Sequence, residues 1–468
     1  MREYGRENLS HDPIHGYIPF TADSDAAAGE TSERQIIDHP WVQRLRHIHQ
    51  LQTAWWVFPS AEHTRFQHVL GAMHLASRAV AVLYDSLRES CPDVPSRPYV
   101  ESLLRMAGLL HDVGHGPFGH FFDEHFLSAY GETHETLGAR IIRTELADLL
   151  SGLRRNPSGR LADSERLDPD QVAWLIQRPR GADDDDGSRP KWLRLLRGLL
   201  SGIYTIDNLD FVLRDAYMSG YSPRAFDIDR LLHYSFFTPH GLTIHDRGMD
   251  ALLRFITVRA ELFRSIYFHR TVRAIDLTLV DAFEASRWHI FPGNPAERLD
   301  QYLQFTESSL LVDVGRWTYS DDPELQACGE IWQLLLRRQL PWRMVCQRVL
   351  VFGESDAERS SIFSSTKLVE HQVREGLPAP LRQFPLRVDI ARHIFRPHTS
   401  GPAAGQNFLF DSAQQRVRPL NANQLFQRLP VSHRICRVYA QSNEHASAIS
   451  ASLDALLGGV AQDDLTNM

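Results

Sequence analysis

The sequence predicts a mostly α-helical protein with a smaller α+β domain at its carboxy-terminal end. From Thr64 onward, apolar residues recur at intervals of three and four, a spacing typical of amphipathic helices. Beyond about Ser308, short β-branched and aromatic stretches alternate with loops rich in Pro, Gly and Asn, which favours strands. At 468 residues the chain is longer than one hydrophobic core usually supports. We therefore predict an amino-terminal turn and strand segment (1–35), a main helical domain (36–305) and the α+β domain (306–468).

Periodicity and stop signals place the individual elements. The helix near Thr64 is followed by a second helix, which starts at about Glu101 and ends in a His-Asp pair before Gly114, Gly116 and Pro117 stop it. Further helices are predicted at 139–153 and 191–218, a turn with a short strand at 10–20, and strands at 349–352 and 435–439.

The composition is that of an ordinary globular protein, with 43% hydrophobic and 23% charged residues. The chain has 50 basic and 58 acidic residues, so its overall charge does not attract anions. An anionic ligand must therefore be bound by a local basic site. The sequence shows no apolar amino-terminal stretch and no long apolar run, so we expect a cytoplasmic protein without membrane contact. The 4 cysteines form no CxxC pair, whereas 23 histidines favour metal or acid-base chemistry.

Four side chains form a candidate metal site: His68 on one helix, His111 and Asp112 at the end of a second, and Asp207 on a third. Two neutral imidazoles and two carboxylates suit a divalent first-row ion and leave coordination positions free for water and phosphate. Such an ion activates water near neutral pH and shields a polyphosphate from its nucleophile. A single histidine or aspartate is more often a structural group, but the combined pattern favours a metal site.

The motifs around these residues resemble those of the HD superfamily, and specifically of its deoxynucleoside triphosphate (dNTP) triphosphohydrolases, typified by the vertebrate SAM- and HD-domain protein. The resemblance spans roughly 11–269, with a weaker echo at 435–439, and we expect no SAM module before it. The motifs that carry it are Asp12-Pro-Ile-His-Gly, Asp38-x-Pro-x-x-Gln-Arg-Leu-Arg46, His63-Thr-Arg-Phe-Gln-His68, Gly108-Leu-Leu-His-Asp-Val-Gly-His-Gly-Pro-Phe and His134-Glu135.

The resemblance implies an HD-domain helical core and a metal-dependent reaction at the α-phosphorus. In it, metal-bound hydroxide displaces the deoxynucleoside and releases inorganic triphosphate. The residues implied on the reacting side are His115, His120, Asp123, His134 and Glu135. We expect His120 to be the general acid for the departing alkoxide, with Asp123 orienting it and His134 as a supporting contact. The structural alternative is that His115 and His120 only satisfy loop carbonyls.

The same resemblance implies the groups that bind substrate. Arg65 and Arg259 match phosphate-binding positions, where guanidinium groups make bidentate contacts. Gln50 and Asp215 resemble the groups that hold the 3′ hydroxyl. Leu51 and Tyr267 resemble the packing that excludes a 2′ hydroxyl, although both also fit an ordinary core.

Two residues in the site depart from the family pattern. Asn208 replaces a phosphate-binding lysine, and Phe211 replaces a tyrosine near the phosphates. Losing one charge-assisted hydrogen bond weakens triphosphate binding by roughly 1.5 to 3 kcal/mol, or the pocket is tuned to another phosphorylated ligand.

An activator site is also implied, because Asp38, Gln43 and Arg46 match the segment that recognises guanine in the vertebrate enzyme. The same segment also fits a plain helix surface. Ala251 and Gln441 stand where that enzyme has polar or basic groups on the activator phosphates, which argues for lost or altered activation.

The expected cofactor is one divalent ion (Mn, Fe, Zn, Ni or Mg), with a second Mg accompanying the substrate phosphates. The expected partners are a dNTP substrate, a GTP or dNTP activator, and further copies of the chain in a dimer or tetramer.

One alternative function is that of an HD phosphohydrolase acting on a nucleotide analogue, a nucleoside monophosphate or a cyclic dinucleotide. Another is a nucleotide sensor or nucleic-acid binder with a vestigial site. Only the arginine-rich stretches 143–160 and 189–197 support it, and they read more simply as solvated helix faces.

Overall fold

A short hairpin opens the structure, a computed structural model that describes residues 8–178, 188–352, 361–394 and 407–457. Strand β1 (Leu9–Asp12) pairs with β2 (Gly16–Pro19) in antiparallel register, as the predicted turn and strand at 10–20 require. The Asp12 carboxylate accepts hydrogen bonds from the backbone N–H groups of Ile14 and His15, both at 2.9 Å, which shapes the turn.

Helices dominate the part that follows, as predicted for the main domain. In chain order they are α1 (Glu33–Ile37), α2 (Pro40–Gln43), α3 (Arg65–Ser90), α4 (Arg97–Leu110), α5 (His120–His125), α6 (His134–Thr144) and α7 (Ala147–Gly152). A small hairpin, β3 (Arg155–Asn156) and β4 (Gly159–Arg160), precedes α8 (Pro169–Ile176), α9 (Lys191–Arg197), α10 (Ile206–Met218) and α11 (Ile228–His233).

The remaining elements mix strands and helices. They are β5 (Ser235–Thr238), β6 (Gly241–His245), α12 (Met249–Leu262), α13 (Arg270–Ile290), α14 (Leu299–Gln304), α15 (Glu307–Trp317), α16 (Pro323–Leu336), β7 (Arg343–Phe352), α17 (Thr366–Gly376), β8 (Leu386–Ile394), β9 (Asn407–Asp411), β10 (Arg416–Pro419), α18 (Gln424–Gln427), β11 (Ser432–Ala440) and α19 (Ala446–Leu456). This composition confirms the predicted mostly α-helical class with α+β structure towards the carboxy terminus.

Several helix boundaries differ from the prediction for local reasons. The helix expected from Glu101 begins at Arg97, because the Ser96 hydroxyl caps it. The stretch 191–218 forms two helices, since the Thr205 hydroxyl accepts a hydrogen bond from the Asn208 N–H and starts α10 afresh. The short helices α1 and α2 were not predicted, because four or five residues give too little periodicity.

The antiparallel helices α3 and α4 approach closely at Gly108. A Cβ atom at Gly108 would lie 2.9 Å from the Ala72 carbonyl oxygen, so only glycine permits this backbone contact. Helix α10 also packs on α3, which brings the first turns of α3 and α10 and the end of α4 to one place.

The described residues contain two large hydrophobic cores and a small cluster of Ala274, Trp342 and Tyr439. The larger one contains the helices of the main domain and extends through α15 and α16, with Leu310, Trp332 and Leu335 buried in it. The predicted domain boundary at residue 306 falls at the start of α15. The smaller core lies between the antiparallel sheet β7-β11-β8 and the helices α17 and α19.

A parallel strand pair connects the carboxy-terminal part to the main domain. Strand β9 lies beside β6 in the sheet β10-β9-β6-β5, so Leu409 joins the larger core. None of the helices in the described ranges has the length and apolar character needed to cross a bilayer.

The first prediction concerns His74 on α3, whose ring centroid lies 5.4 Å from that of His15. Burial, and then the charge of His15, lower the pKa of His74 from 6.5 to about 4. Because the unfolded chain binds this proton more readily, the free energy of unfolding must fall as the pH drops below about 6.5. We expect the free energy of unfolding of His74→Leu to fall by about 2 kcal/mol less than that of the wild type between neutral pH and pH 5. The measurement is urea denaturation in the presence of a chelator. Equal acid sensitivity in His74→Leu and the wild type would contradict this prediction; His371→Leu, at an exposed position on α17, is the matched control.

Candidate active site

The proposed metal ligands meet where α3, α4 and α10 converge. His68 Nε2 lies 3.1 Å from Asp207 Oδ1 and 3.2 Å from His111 Nε2. Asp112 Oδ1 lies 3.3 Å from His111 Nε2, and its other oxygen lies 3.9 Å from His68 Nε2. Ligand atoms at about 2.0 to 2.2 Å from one cation are separated by about 3 Å, so the donor atoms of His68, His111 and Asp207 fit a divalent metal ion, and Asp112 lies beside them.

Hydrogen bonds to the far ring nitrogens orient both histidines. His111 Nδ1 lies 2.9 Å from the Gly108 carbonyl oxygen, and His68 Nδ1 lies 2.8 Å from Asp210 Oδ2. A carbonyl can only accept, so the proton of His111 is on Nδ1 and its Nε2 is free to coordinate. Burial disfavours a charged His68, but the carboxylates of Asp207 and Asp210 outweigh it and raise the pKa of His68 to about 10. The site thus concentrates the negative charge that a cation would neutralise.

A second cluster of titratable groups adjoins the first. The rings of His115 and His134 are stacked, with centroids 3.8 Å apart. Asp123 Oδ2 accepts a short hydrogen bond from His134 Nδ1 and lies 3.4 Å from His120 Nδ1, so its tighter contact is with His134 and not with His120. His115 Nε2 lies 3.3 Å from Asp112 Oδ1, which makes the two clusters contiguous.

The histidines of this second cluster differ in environment. His115 is fully buried, and burial together with the charge of Arg65 holds its pKa well below the ordinary value, so its ring is neutral. The side chain of His120 is 62% exposed. The exposed ring is therefore the one that can reach a bound ligand from the solvent side.

The loop between α4 and α5 carries His115 and is held from outside the cluster. Arg44, a buried guanidinium of the α2 segment, donates to the carbonyls of His115 at 2.6 Å and Phe305 at 2.8 Å. Phe118 has a φ of 60° and Gly119 a φ of 55°, so the loop passes through left-handed backbone twice. A Cβ atom at Gly119 would lie 2.2 Å from a nitrogen of Arg65, which explains the glycine there.

Glu307, in the first turn of α15, is a buried carboxylate that joins three segments. It accepts hydrogen bonds from the Phe118 N–H at 3.4 Å and the Trp55 indole N–H at 3.1 Å, and it lies 2.8 Å from His49 Nδ1. The loop that bears His115 is therefore anchored by a residue almost 200 positions away.

Two buried arginines supply the positive charge that the sequence predicted. Arg65 donates to Asp112 Oδ2 at 2.7 Å. Arg259 donates to the Ile203 carbonyl at 3.3 Å, and burial lowers its pKa to about 10, which leaves it charged at neutral pH. Asn208 has its amide engaged elsewhere: it accepts from the Thr205 N–H at 2.6 Å and donates to Ile203. Phe211 packs against the larger core.

Two of the predicted sugar-binding residues, Asp215 and Tyr267, contact each other. His63 Nε2 lies 2.7 Å from one Asp215 oxygen, and the Tyr267 hydroxyl donates to the other at 2.5 Å. Tyr267 ends a π-helical turn, a feature common at functional sites. The side-chain oxygen of Gln50 is buried without a hydrogen-bond partner among the described residues, whereas Leu51 is part of the larger core.

Three of the predicted residues lie apart from these clusters. Asp38 is exposed and pairs with Arg34 on its own helix. Gln43 accepts a hydrogen bond from Arg46 at 2.8 Å, and the guanidinium of Arg46 stacks over Phe66. Glu135 borders the second cluster: its Oε1 lies 4.0 Å from His134 Nε2 and 3.0 Å from a nitrogen of Arg178.

Sequence reasoning missed four residues that hold this site: His63, Asp210, Arg44 and Glu307. His63 and Arg44 stand inside motifs that the sequence displays, and Asp210 lies between Asn208 and Phe211, which were assigned roles. Glu307 gives no local signal, because its partners are distant in the sequence.

Comparisons with known proteins find an HD domain and relatives among the dNTP triphosphohydrolases. Residues 65–184 match the family model described as HD domain. The chain is 27% identical over 94% of its length to the deoxynucleoside triphosphate triphosphohydrolase SAMHD1 of Bos taurus, and covers 76% of that protein. It is 25% identical over 65% of its length to a homologue from Dictyostelium discoideum, of which it covers 55%.

Two further comparisons involve proteins without an assigned role. The uncharacterized protein YwfO of Bacillus subtilis is 26% identical, and the match covers 71% of each chain. A solved structure of a hypothetical protein from Aquifex aeolicus superposes with a TM-score of 0.66 at 22% identity, covering 96% of this chain and 100% of that one. The latter likeness establishes the fold.

We expect Asp207→Ala to weaken binding of Mn²⁺ by about 100-fold or more, since even changes beside a ligand cost 10- to 100-fold. The measurement is metal content after equilibrium dialysis of the purified protein. Asp229→Ala, at an aspartate whose side chain is 88% exposed on α11, is the matched control. Equal metal content in the two variants would rule out Asp207 as a ligand.

Proposed function

We propose that the chain hydrolyses deoxynucleoside triphosphates to deoxynucleoside and inorganic triphosphate, which its HD-domain match and its similarity to dNTP triphosphohydrolases favour. One observation carries the proposal: Asp112 Oδ1 lies 3.3 Å from both His111 Nε2 and His115 Nε2, and Arg65 donates to the other Asp112 oxygen. Metal ligands, proton carriers and a cation for phosphate are thus continuous in one site.

The proposed ligands are His68, His111, Asp112 and Asp207, and the donor set accommodates Mn, Fe, Zn, Ni or Mg. When bound, a divalent ion supplies an acidified water and neutralises part of the phosphate charge. The protein's own contribution is orientation. Arg65 fixes the Asp112 carboxylate, and Asp210 and the Gly108 carbonyl fix the two imidazole rings.

Departure of the 5′ oxygen requires a proton donor, and we assign this role to His120. Its exposed ring stands at the open side of the cluster, and Asp123 lies within reach of its Nδ1. Asp123 also bonds His134, so one carboxylate can hold a proton between two imidazoles. Burial keeps His115 neutral, and we assign it a packing role, because its ring stacks on that of His134.

Recognition of a deoxynucleotide is assigned to two arginines and to the groups around Asp215. Arg65 and Arg259 are the buried cations for the triphosphate. Asp215, held by His63 and Tyr267, can accept a hydrogen bond from the 3′ hydroxyl. The unpartnered oxygen of Gln50 is a second acceptor, and Tyr267 closes the space for a 2′ hydroxyl.

A second candidate function is hydrolysis of another phosphorylated compound by the same metal site. Asn208 favours it, because its amide is committed to the Thr205 N–H and the Ile203 carbonyl and adds no positive charge. The two functions differ in product, since only attack at the α-phosphorus releases intact triphosphate.

Regulation is a narrower part of the proposal. We assign nucleotide activation to the Asp38, Gln43 and Arg46 segment, and we expect assembly into dimers or tetramers, as in the related enzymes. Arg46 stacks over Phe66, the residue after Arg65, so a ligand at this segment would act close to the substrate site. Light scattering of the protein with and without GTP measures the assembly state.

We expect purified protein with Mn²⁺ or Mg²⁺ to convert dNTPs to deoxynucleoside and triphosphate, alone or in mixtures with GTP, as resolved by chromatography. His120→Ala should lower kcat by about 10²- to 10⁴-fold without loss of bound metal, because general acid catalysis contributes that much. Stepwise release of single phosphates would overturn the triphosphohydrolase proposal and support the second candidate. No turnover of any dNTP by the metal-loaded protein would also exclude it.

Sugar selectivity provides an independent prediction. Tyr267→Ala should reduce the ratio of kcat/KM for a dNTP to that for the matching ribonucleotide by about tenfold or more, because packing discrimination of this size is worth about 1 to 3 kcal/mol. Tyr267→Phe keeps the packing and should retain the ratio while it raises KM for both substrates. If the Ala variant keeps the wild-type ratio, Tyr267 is ordinary core.

A further inference from the structure

We propose that Asp210 is a positioning residue of the metal centre, and that the amino-terminal hairpin belongs to this centre because His15 and Arg214 hold Asp210 in place. The inference rests on the proposed metal site at His68. It goes further by assigning a function to residues outside the ligand set and to a segment that precedes the helical core.

Both carboxylate oxygens of Asp210 are hydrogen-bonded to neighbouring side chains. The residue is fully buried, and its Oδ2 lies 2.8 Å from His68 Nδ1. Its Oδ1 lies 2.7 Å from His15 Nε2. Arg214, one helical turn further along α10, donates to both oxygens at 2.9 Å. No rotation of the carboxylate is possible without breaking at least one charge-assisted hydrogen bond.

This arrangement decides which nitrogen of His68 faces the metal. A neutral imidazole carries one proton, and a carboxylate beside Nδ1 draws it there. The lone pair is then on Nε2, the atom that lies 3.1 Å from Asp207 and 3.2 Å from His111. A carboxylate on the far nitrogen also increases the basicity of a metal-binding histidine.

The hairpin reaches Asp210 by two routes. His15, in the turn, contacts it directly. Asp12 accepts a hydrogen bond from Arg214 at 2.7 Å and also bonds the N–H groups of Ile14 and His15. One aspartate thus shapes the turn that presents His15 and balances the charge of Arg214.

Gly71 on α3 supports the assignment through a separate observation. A Cβ atom there would lie 1.9 Å from Asp210 Oδ1 and 2.4 Å from Arg214 Nη2. A glycine inside a helix costs about 1 kcal/mol relative to alanine. The cost is explained if α3 must leave room for the Asp210 and Arg214 pair directly beside His68.

The test is the affinity of the full chain for Co²⁺, measured by chelator competition and by the visible absorption of the bound ion. We expect Asp210→Asn to weaken Co²⁺ binding by about 10- to 100-fold and to alter the absorption bands. His15→Gln should weaken binding to a smaller extent, since it removes one of the bonds to Asp210. Gly71→Ala should weaken binding by displacing the carboxylate, and it tests the inference if Asp210→Asn does not fold.

Glu33→Gln is the matched control. Glu33 is also a fully buried carboxylate bonded to an arginine, Arg105, which donates to the Pro19 carbonyl of the same hairpin. It touches none of the proposed ligands, so this variant should lose stability but keep wild-type Co²⁺ affinity. Equal loss of affinity in Glu33→Gln and Asp210→Asn would show that only general stability is involved and would overturn the inference.

The outcomes separate this inference from the proposed function. Wild-type Co²⁺ affinity in Asp210→Asn, with His68→Ala impaired, removes the role of Asp210 and leaves the metal site standing. Unchanged affinity in His15→Gln removes the role of the hairpin. If the wild type and His68→Ala bind Co²⁺ equally, the metal site itself is wrong, and the inference fails with it.

Discussion

The close contact of α3 with α4 is the constraint on which the site depends. Because Gly108 lets the α4 backbone rest on that of Ala72, the end of α4 arrives beside the first turn of α3. His111 and Asp112 follow at once, and α10 packs on the same helix to add Asp207. Small-residue contacts of this kind fix helix positions more finely than large apolar side chains can, since the backbone itself sets the distance.

The site also contains several buried ion pairs. Arg65 faces Asp112, and Arg214 lies between Asp210 and Asp12. Arg44 instead bonds backbone carbonyls and lies over the ring of Tyr302. Buried ion pairs contribute little net stability, but removing one partner is strongly destabilising, so these networks specify one geometry more than they strengthen the fold.

Much of the fold and the candidate metal ligands could be predicted from the sequence. The helical class, the helices that begin near Thr64 and near Glu101, and the strand at 435–439 followed from periodicity, which is a local property. The candidate ligands were found because their motifs are short and sit at helix ends. The partners of those residues could not be found in this way, since Asp210 and His63 become significant only when α10 packs on α3.

Asn208 shows a second limit of prediction from the sequence. The sequence identified it as a departure from the family pattern, but only the structure shows its amide tied to Thr205 and Ile203 at the start of α10. A side chain that caps a helix and one that binds a ligand use the same hydrogen-bonding groups, so residue type alone cannot distinguish them.

The anchoring of the His115 loop by Glu307, and by Arg44, which also bonds the Phe305 carbonyl, affects how the protein can be divided. The family match ends at residue 184, yet the loop at its centre is held by α15 from beyond residue 300. A fragment cut to the family boundary would contain every histidine of the second cluster without the scaffold that shapes their loop. The smallest unit suitable for crystallography or for grafting into another protein therefore includes α15.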